Sequence, residues 1–597
     1  MMGGSFISYS EITGSLPTEA DIAELLRPLD PRKVLFLLSR INMHLRLISA
    51  SEGTTYKQAI GNAQGFLFQA FTDEGLFEDA KRVLGTTKMH ERVLFHPLQL
   101  LNMMRCAVMS CQGMDEADGV TDEQRYTVGR CCLMMNDLLV PLDEQQKLLD
   151  GCENIRRARL MTQLLPGFEV ANSGRVAHLL QRSTAMFNLL LSDATVKAEI
   201  LARSGGYDFV QRFCDLTGVA LEHWIALTFC CIAFYNQYGG CDGSQQEYKY
   251  LWIDPRVVLG TSKISPSDFD TILKLISKPI DGFAAGYALP SKAGAWVDVT
   301  TFRFHPLIQI GHLYICSDYA FLVEKMFAGA YWALHDREDK VGRDQLSRAW
   351  GYIFERYVNW WARGRDFKKT LSYHPFPLWT DKPSQKSKKK VAPIEAFDAV
   401  MLEGKRMVVL ESKGGFLTLD AKHSLNMRLL LRDLNKKFAK ACRQLAKAIG
   451  ELFGIVVERT LQDIPTEHVT RVVPVIVVQD QALRSLGINW WLNRQFQRMM
   501  RSFVLRPGVT VEPVTVVYID EFETMIDSAE GPEFDFVGTL QLRNFRDAEA
   551  MSDVLDFLLH TSGYGAQHSS RRKELEEEFR RCVLEYAFDL EAVQTVT

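Results

Sequence analysis

The chain has 597 residues, 47% of them hydrophobic and 24% charged, with a formal net charge of −4, a balance that excludes a disordered polypeptide and is enough for three or four cores at roughly 150 residues each. The longest apolar run, Ile225 to Tyr235, falls well short of the roughly 20 residues a membrane helix needs, so no membrane partner is expected. Twelve scattered cysteines without CxxC or Cys/His spacing exclude a tetrahedral zinc site and read as reduced thiols. The N-terminus has no signal-peptide pattern, and a cytoplasmic location is expected.

From about Thr18 to Tyr238 apolar residues recur at helical spacing, as in VLFLLSRINMHLRLI and VLFHPLQLLNMMRCAVM. This predicts an all-helical region over residues 1–240, with Met103, Met104, Met109, Met134 and Met135 as core. Gly239, Gly240 and Gly243 mark a boundary. Residues 241–342 read as a mixed connector, in which TFRFHPLIQIGHLYICSD predicts two strands joined at Gly311-His312, followed by the helix YAFLVEKMFAGAYWALH. His305 and His312 have no neighbours at ligand spacing and read as structural or surface histidines.

Residues 343–527 change character. The helix QLSRAWGYIFERYVNWWARG buries Trp350, Phe354, Tyr357, Val358 and Trp361 on one face, and a lysine-rich loop, WTDKPSQKSKKKVAP, follows it. Then come the hairpin FDAVMLEGKRMVVLESKGG, the amphipathic helix LRDLNKKFAKACRQLAKAIGELF, the buried strand VTRVVPVIVVQD, and VTVVYIDEFETMI as strand into helix. Residues 528–597 read as a helical C-terminal segment. The fold class is therefore multidomain: a large all-α N-terminal region, an α/β domain around a mixed sheet, and a helical tail.

The hairpin carries the chemistry. With Glu403-Gly404-Lys405-Arg406 as its turn, Leu402 faces Met407, Met401 faces Val408, and Asp398 comes level with Glu411. Lys413, two residues past Glu411, shares its face. Two acids and one lysine on a sheet face are not a dry core, because unpaired buried charge costs several kcal/mol. Hard oxygen ligands on rigid strands are what Mg²⁺ or Mn²⁺ prefers.

An acid at the start of one strand, Asp398, followed by Glu411-Ser412-Lys413 on the next, resembles the motif of the PD-(D/E)XK nuclease superfamily. The resemblance covers about Arg343 to Met525, and the family's proline is displaced, Pro393 standing five residues before Asp398. It implies that Asp398, Glu411 and the Ser412 carbonyl hold the metal and that Lys413 assists the attacking water. It further matches Glu355, on the helix before the first strand, and Gln444, on the helix after the hairpin, to catalytic positions. On the residues alone, Glu355 could equally pair with Arg356 or Arg363.

From Lys382 to Lys447 there are sixteen Lys/Arg against six Asp/Glu, a local basic surplus that suits a polyanion, with a solvated face as the bland alternative. Lys437, Lys440 and Lys447 form a stripe with Gln444 for phosphate contact, and Lys388, Lys389 and Lys390 form a loop arm. The expected function is Mg²⁺-dependent hydrolysis of phosphodiester bonds in nucleic acid, DNA before RNA, as an endonuclease. The helical N-terminal region would bind a protein partner or a second copy. Helical regions fused to such folds resemble prokaryotic anti-phage defence effectors. The alternative is a non-catalytic nucleic-acid-binding or assembly protein on the same fold.

Overall fold

The computed structural model describes residues 7–47, 56–89, 93–115, 119–139, 176–191, 193–238, 251–254, 264–286, 298–326, 328–365, 367, 371–380, 395–455, 459–485, 487–531, 534–546, 572–575 and 577. The chain divides into two compact units. One unit comprises Met1–Asp150, Val210–Arg337 and Glu577–Thr597; the other comprises Gly151–Phe209 and Glu338–Glu576.

The first unit is mainly helical, as its 3.6-residue periodicity requires. Its helices include Pro31–Arg46, Pro97–Ser110, Asp122–Leu139 and Leu221–Tyr238. Met103, Met104, Met134 and Met135 are buried and Met109 is half-buried, and the nine described cysteines are free thiols. Among the described residues no single helix is long and apolar enough to cross a membrane. A small sheet joins β1 (Ser277–Pro279), parallel to β2 (Leu307–Ile310), which turns through Gly311 at φ +61° into antiparallel β3 (Leu313–Cys316). Thr300–Phe304, expected as part of the first strand, is a short helix instead. The Asp298 carboxylate accepts from Thr300 N at 3.0 Å, an Asx-type turn that leads the chain into the helix.

The second unit is an α/β layer. Its sheet runs β10–β9–β7–β6–β4, with β11 also on β9. The strands are β4 (Leu371–Pro375), β6 (Ala399–Glu403), β7 (Arg406–Lys413), β9 (Arg471–Val478), β10 (Thr510–Val511) and β11 (Thr515–Tyr518). A separate pair joins β5 (Trp379–Thr380) and β8 (Thr460–Leu461). β4, β6 and β7 are antiparallel neighbours, and β9 lies parallel to β7. Pro474 sits within β9, where a proline should break the ladder. It falls in the gap between Val472, the last residue paired with β10, and Val475, the first paired with β11.

On one face of the sheet Val400, Leu402, Met407, Val409, Ile476 and Val478 pack with Leu445, Ile449 and Leu452 of the Ala439–Phe453 helix. The Lys340–Ala362 helix buries Trp350, Phe354, Tyr357, Val358 and Trp361, as its spacing predicts. A buried ionic network ties that helix to Val176–Leu191 and Ile519–Ser528. Arg182 bonds Asp520 and also Glu523 at 2.7 Å; Tyr357 Oη donates to Glu523 at 2.7 Å. Arg365 and Arg572 reach Asp527 at 2.8 and 2.5 Å.

Removing one member of such a set leaves its partners charged in a low dielectric. Arg182→Ala is expected to cost about 3–5 kcal/mol in urea unfolding, whereas Lys81→Ala, which breaks the exposed pair with Glu78, should cost under about 1 kcal/mol. Equal losses for the two variants would contradict the network's role.

Candidate active site

The hairpin register follows from its turn. Glu403 pairs with Arg406, leaving Gly404 and Lys405 as a two-residue connection in which Gly404 takes φ +58°, the left-handed conformation a primed turn asks of its first central residue. Leu402 therefore faces Met407, Met401 faces Val408, and Ala399 faces Leu410. The ladder stops there. Asp398 occupies a bend one residue before β6, with its N–H donating to Leu410 O at 3.1 Å and its carbonyl accepting from Phe376 N at 3.0 Å. It comes level with Glu411 as expected, but its carboxylate turns onto the backbone, Oδ2 accepting from Ser412 N at 2.5 Å.

In an extended strand the N–H and C=O of one residue point the same way, so the Ser412 carbonyl also faces the Asp398 side. Glu411 and Lys413 alternate onto the face of Met407 and Val409. Glu411 is 5% exposed, and Lys413 Nζ bonds its Oε1.

The fourth group arrives from the Lys340–Ala362 helix. Gly414 follows Lys413 and lies against Gly351 and Phe354: a Cβ at Gly414 would stand 3.2 Å from Gly351 Cα and 2.8 Å from Phe354 Cβ. Two glycines thus let helix and strand end approach closely enough to bring Glu355 to the cluster. Asn359, one turn on, donates to the Glu355 carbonyl at 3.0 Å and accepts from Tyr373 Oη of β4 at 2.8 Å, which fixes the helix against the sheet. Arg356 pairs with Glu199 at 2.6 Å and does not serve Glu355. The cations acting on Glu355 are Arg203, itself paired with Glu395 at 2.8 Å, and Lys413.

The electrostatics show an unmet charge. Burial, then Glu411 and Glu355, push the Asp398 carboxyl well above the usual carboxylate range. Burial, then Glu395, raise Glu355 to about 7. Burial works against the Lys413 ammonium, but Glu411 and Asp398 outweigh it and hold the lysine above its ordinary value. The buried Glu355 Oε1 has no hydrogen-bond partner among the described residues. Three carboxylates against one close ammonium, with the Ser412 carbonyl turned to the same side, form a hard-oxygen donor set that fits a divalent cation.

The remaining sequence-derived residues divide. Gln444 is exposed on the Ala439–Phe453 helix, and no hydrogen bond joins it to the cluster. Lys437 is turned inward, its Nζ bonding the Phe416 carbonyl and lying 3.7 Å from Asp433, so it does not stand in an open phosphate stripe. Lys440 is exposed, and Lys447 is exposed beside Glu451 at 3.7 Å. Lys388, Lys389 and Lys390 lie outside the described residues, as does most of the predicted helical tail.

The sequence reading missed Arg203, Glu395 and the paired glycines; the Gly414-Gly415 step after Lys413 was the available signal. It also missed the second acidic gathering, His178, Asp520 and Glu523, whose ligand atoms lie within 4.8 Å of one another. Arg182 already bonds both of those acids. Among the described residues this is the one such trio, so Asp398, Glu411 and Glu355 are set wider.

Comparison with protein-family models, with curated proteins and with solved structures finds no match to this chain.

The raised Glu355 value gives a pH test. Without metal, the stability gained by keeping Glu355 protonated is fully present below its ordinary 4.5 and is lost as pH rises through about 7. Divalent cation offsets that loss by neutralising the ionised cluster. Mn²⁺ is therefore expected to raise the thermal midpoint more above pH 7 than at pH 4.5, and Glu355→Gln should flatten the metal-free decline. A Mn²⁺ effect of equal size at both pH values would count against the assignment.

Proposed function

We propose that the chain is a metal-dependent phosphodiesterase acting on nucleic acid, built on the PD-(D/E)XK plan that its hairpin resembles, with DNA as the first substrate. The observation that carries this reading is the convergence of Asp398, Glu411, Lys413 and Glu355 at one end of β7, with more negative charge than the neighbouring cations neutralise. Asp398, Glu411 and the Ser412 carbonyl would hold the ion. When bound, Mg²⁺ or Mn²⁺ would lower the pKa of a water and stabilise charge on a phosphate oxygen.

The protein's own groups supply the rest. Lys413, held by Glu411, stays charged and presents its remaining N–H bonds to a water or to a non-bridging phosphate oxygen. Glu355, titrating at about 7 with an unpartnered oxygen, suits the removal of a proton from water near neutral pH. The water oxygen forms a bond to phosphorus as the bond to the leaving sugar oxygen breaks, and a solvent proton completes the new hydroxyl. Exposed Lys440 offers a phosphate contact without base reading.

The test incubates purified protein with linear duplex, circular duplex, single-stranded DNA and RNA, in Mg²⁺, Mn²⁺ or EDTA. Cleavage should require the metal, and Glu411→Gln and Lys413→Ala should each lose about a hundredfold or more. If those variants cut as well as the parent, the site is wrongly assigned. Cleavage of a circular substrate would establish an endonuclease. A protein that binds DNA in every condition and cuts in none would favour the non-catalytic alternative.

A further inference from the structure

Between Asp480 and Glu512 the chain carries five arginines and no acid, and from Met427 to Gly450 it carries seven Lys/Arg with Asp433 as the one acid. Asp433 is buried and accepts from Thr418 N at 2.8 Å, so it offers no negative charge to solvent. Solvated surfaces ordinarily intersperse both signs. In a chain of net charge −4 these two stretches stand apart, and the fold makes them neighbours.

The Ala439–Phe453 and Ile488–Met500 helices lie side by side on one face of the sheet, where Leu445, Ile449, Leu492 and Phe496 share a core. Cys442 Sγ donates to Leu492 O at 3.5 Å, and Gly450 leaves room for the Phe503 ring, which a Cβ there would strike. Ile488, Leu492, Phe496 and Met500 are buried four residues apart, so the opposite side of that helix carries Trp490, Arg494, Arg498 and Arg501. Arg498 and Arg501 are exposed, and the half-buried Arg494 holds its guanidinium 5.0 Å from the Trp490 ring centroid. Lys440 and Arg443 are exposed on the neighbouring helix. Among the described residues no carboxylate forms an ion pair with Lys440, Arg443, Arg498 or Arg501. Arg484 and Arg506 are structural instead, reaching Glu521 at 3.5 Å and the Val469 carbonyl at 3.1 Å.

We propose that the outer face of these two helices docks the backbone of duplex DNA. The inference rests on the proposed function in taking nucleic acid as the polyanion. Arg494 to Arg501 spans about 10 Å of helix, close to three base steps of one strand at about 3.4 Å each, and a guanidinium can grip a phosphate with two parallel N–H bonds. Single strands are held by open aromatic platforms; among the described residues of this unit no aromatic side chain is exposed, which favours the duplex. Position relative to the acidic cluster also fits. Val478 pairs with Lys413, so the Gln481–Arg484 turn and the start of the Ile488–Met500 helix leave the sheet at the end where the cluster lies. A backbone laid along the arginines runs toward that end.

The experiment measures binding of the full chain to a labelled 20-base-pair duplex, by fluorescence anisotropy across a salt series in EDTA, where no cleavage intervenes. The double variant Arg498→Ala, Arg501→Ala should bind about tenfold or more weakly, and its slope of log affinity against log salt should be shallower by about 2, one counterion per lost contact. Both side chains are exposed, so its thermal midpoint should match the parent's; Lys440→Ala with Arg443→Ala is the second variant. Arg348→Ala, an exposed arginine on the Lys340–Ala362 helix, should change neither affinity nor slope. The proposal is overturned if the parent does not bind the duplex, if both double variants keep its affinity and slope, if a single strand of the same length binds more tightly, or if polyglutamate at equal charge displaces the duplex. Cleavage that survives such a result would leave the proposed hydrolysis standing without this surface, whereas arginine-dependent binding with no cleavage in Mg²⁺ or Mn²⁺ would leave the surface standing without the hydrolysis.

Discussion

Three carboxylates and one ammonium held together at the end of β7 set the terms for the second unit. Each acid is stable alone in water; placed together in a largely buried site they repel, and the proton affinities of Asp398 and Glu355 rise. The backbone prevents them from separating. Glu411 is locked by the β7 ladders to β6 and β9, Asp398 by its bonds to Leu410, Phe376 and Ser412, and Glu355 by the close approach of Gly351 and Gly414. A fold selected for stability alone would not keep that arrangement, since well-packed apolar residues of similar volume cost less.

The same unit shows what a structural solution to buried charge looks like. Asp520, Glu523 and Asp527 are more deeply buried than Asp398 and Glu355, and Arg182, Arg365 and Arg572 answer them, with geometry that also ties three helices together. There charge is balanced within the protein. At the end of β7 three acids gather around one lysine instead. The contrast separates the two gatherings more clearly than proximity does, because the tighter trio, His178, Asp520 and Glu523, is the one already satisfied by arginine.

Much of the second unit was legible because its signals are local. Alternating apolar residues and Gly404 define the hairpin, and a period of two puts Lys413 on the face of Glu411. The bend at Asp398 was not legible, since it depends on the chain just after β4, an edge strand disguised by Pro375. Lys437 was misjudged for a different reason. The stripe from Lys437 to Lys447 assumes a straight α-helix, but Leu434–Phe438 forms a π-turn, whose extra residue shifts the phase and swings Lys437 onto the Phe416 carbonyl. Arg182 and Glu523 lie 341 residues apart, and no periodicity reports a pairing at that distance.

Residue spacing along the chain describes His305 only in part. Judged by ligand spacing along the chain, it has no metal-binding neighbours and reads as structural. In three dimensions it bonds the Ser277 backbone of β1 and feels the charges of Lys278 and Lys325, and the β1–β2 pairing that brings Lys278 level with Ile308 involves residues 30 positions apart. Spacing rules find sites whose ligands lie on one element. A charge imbalance assembled across elements appears only when each buried charge is asked what neutralises it, as with the three carboxylates around one ammonium at the end of β7.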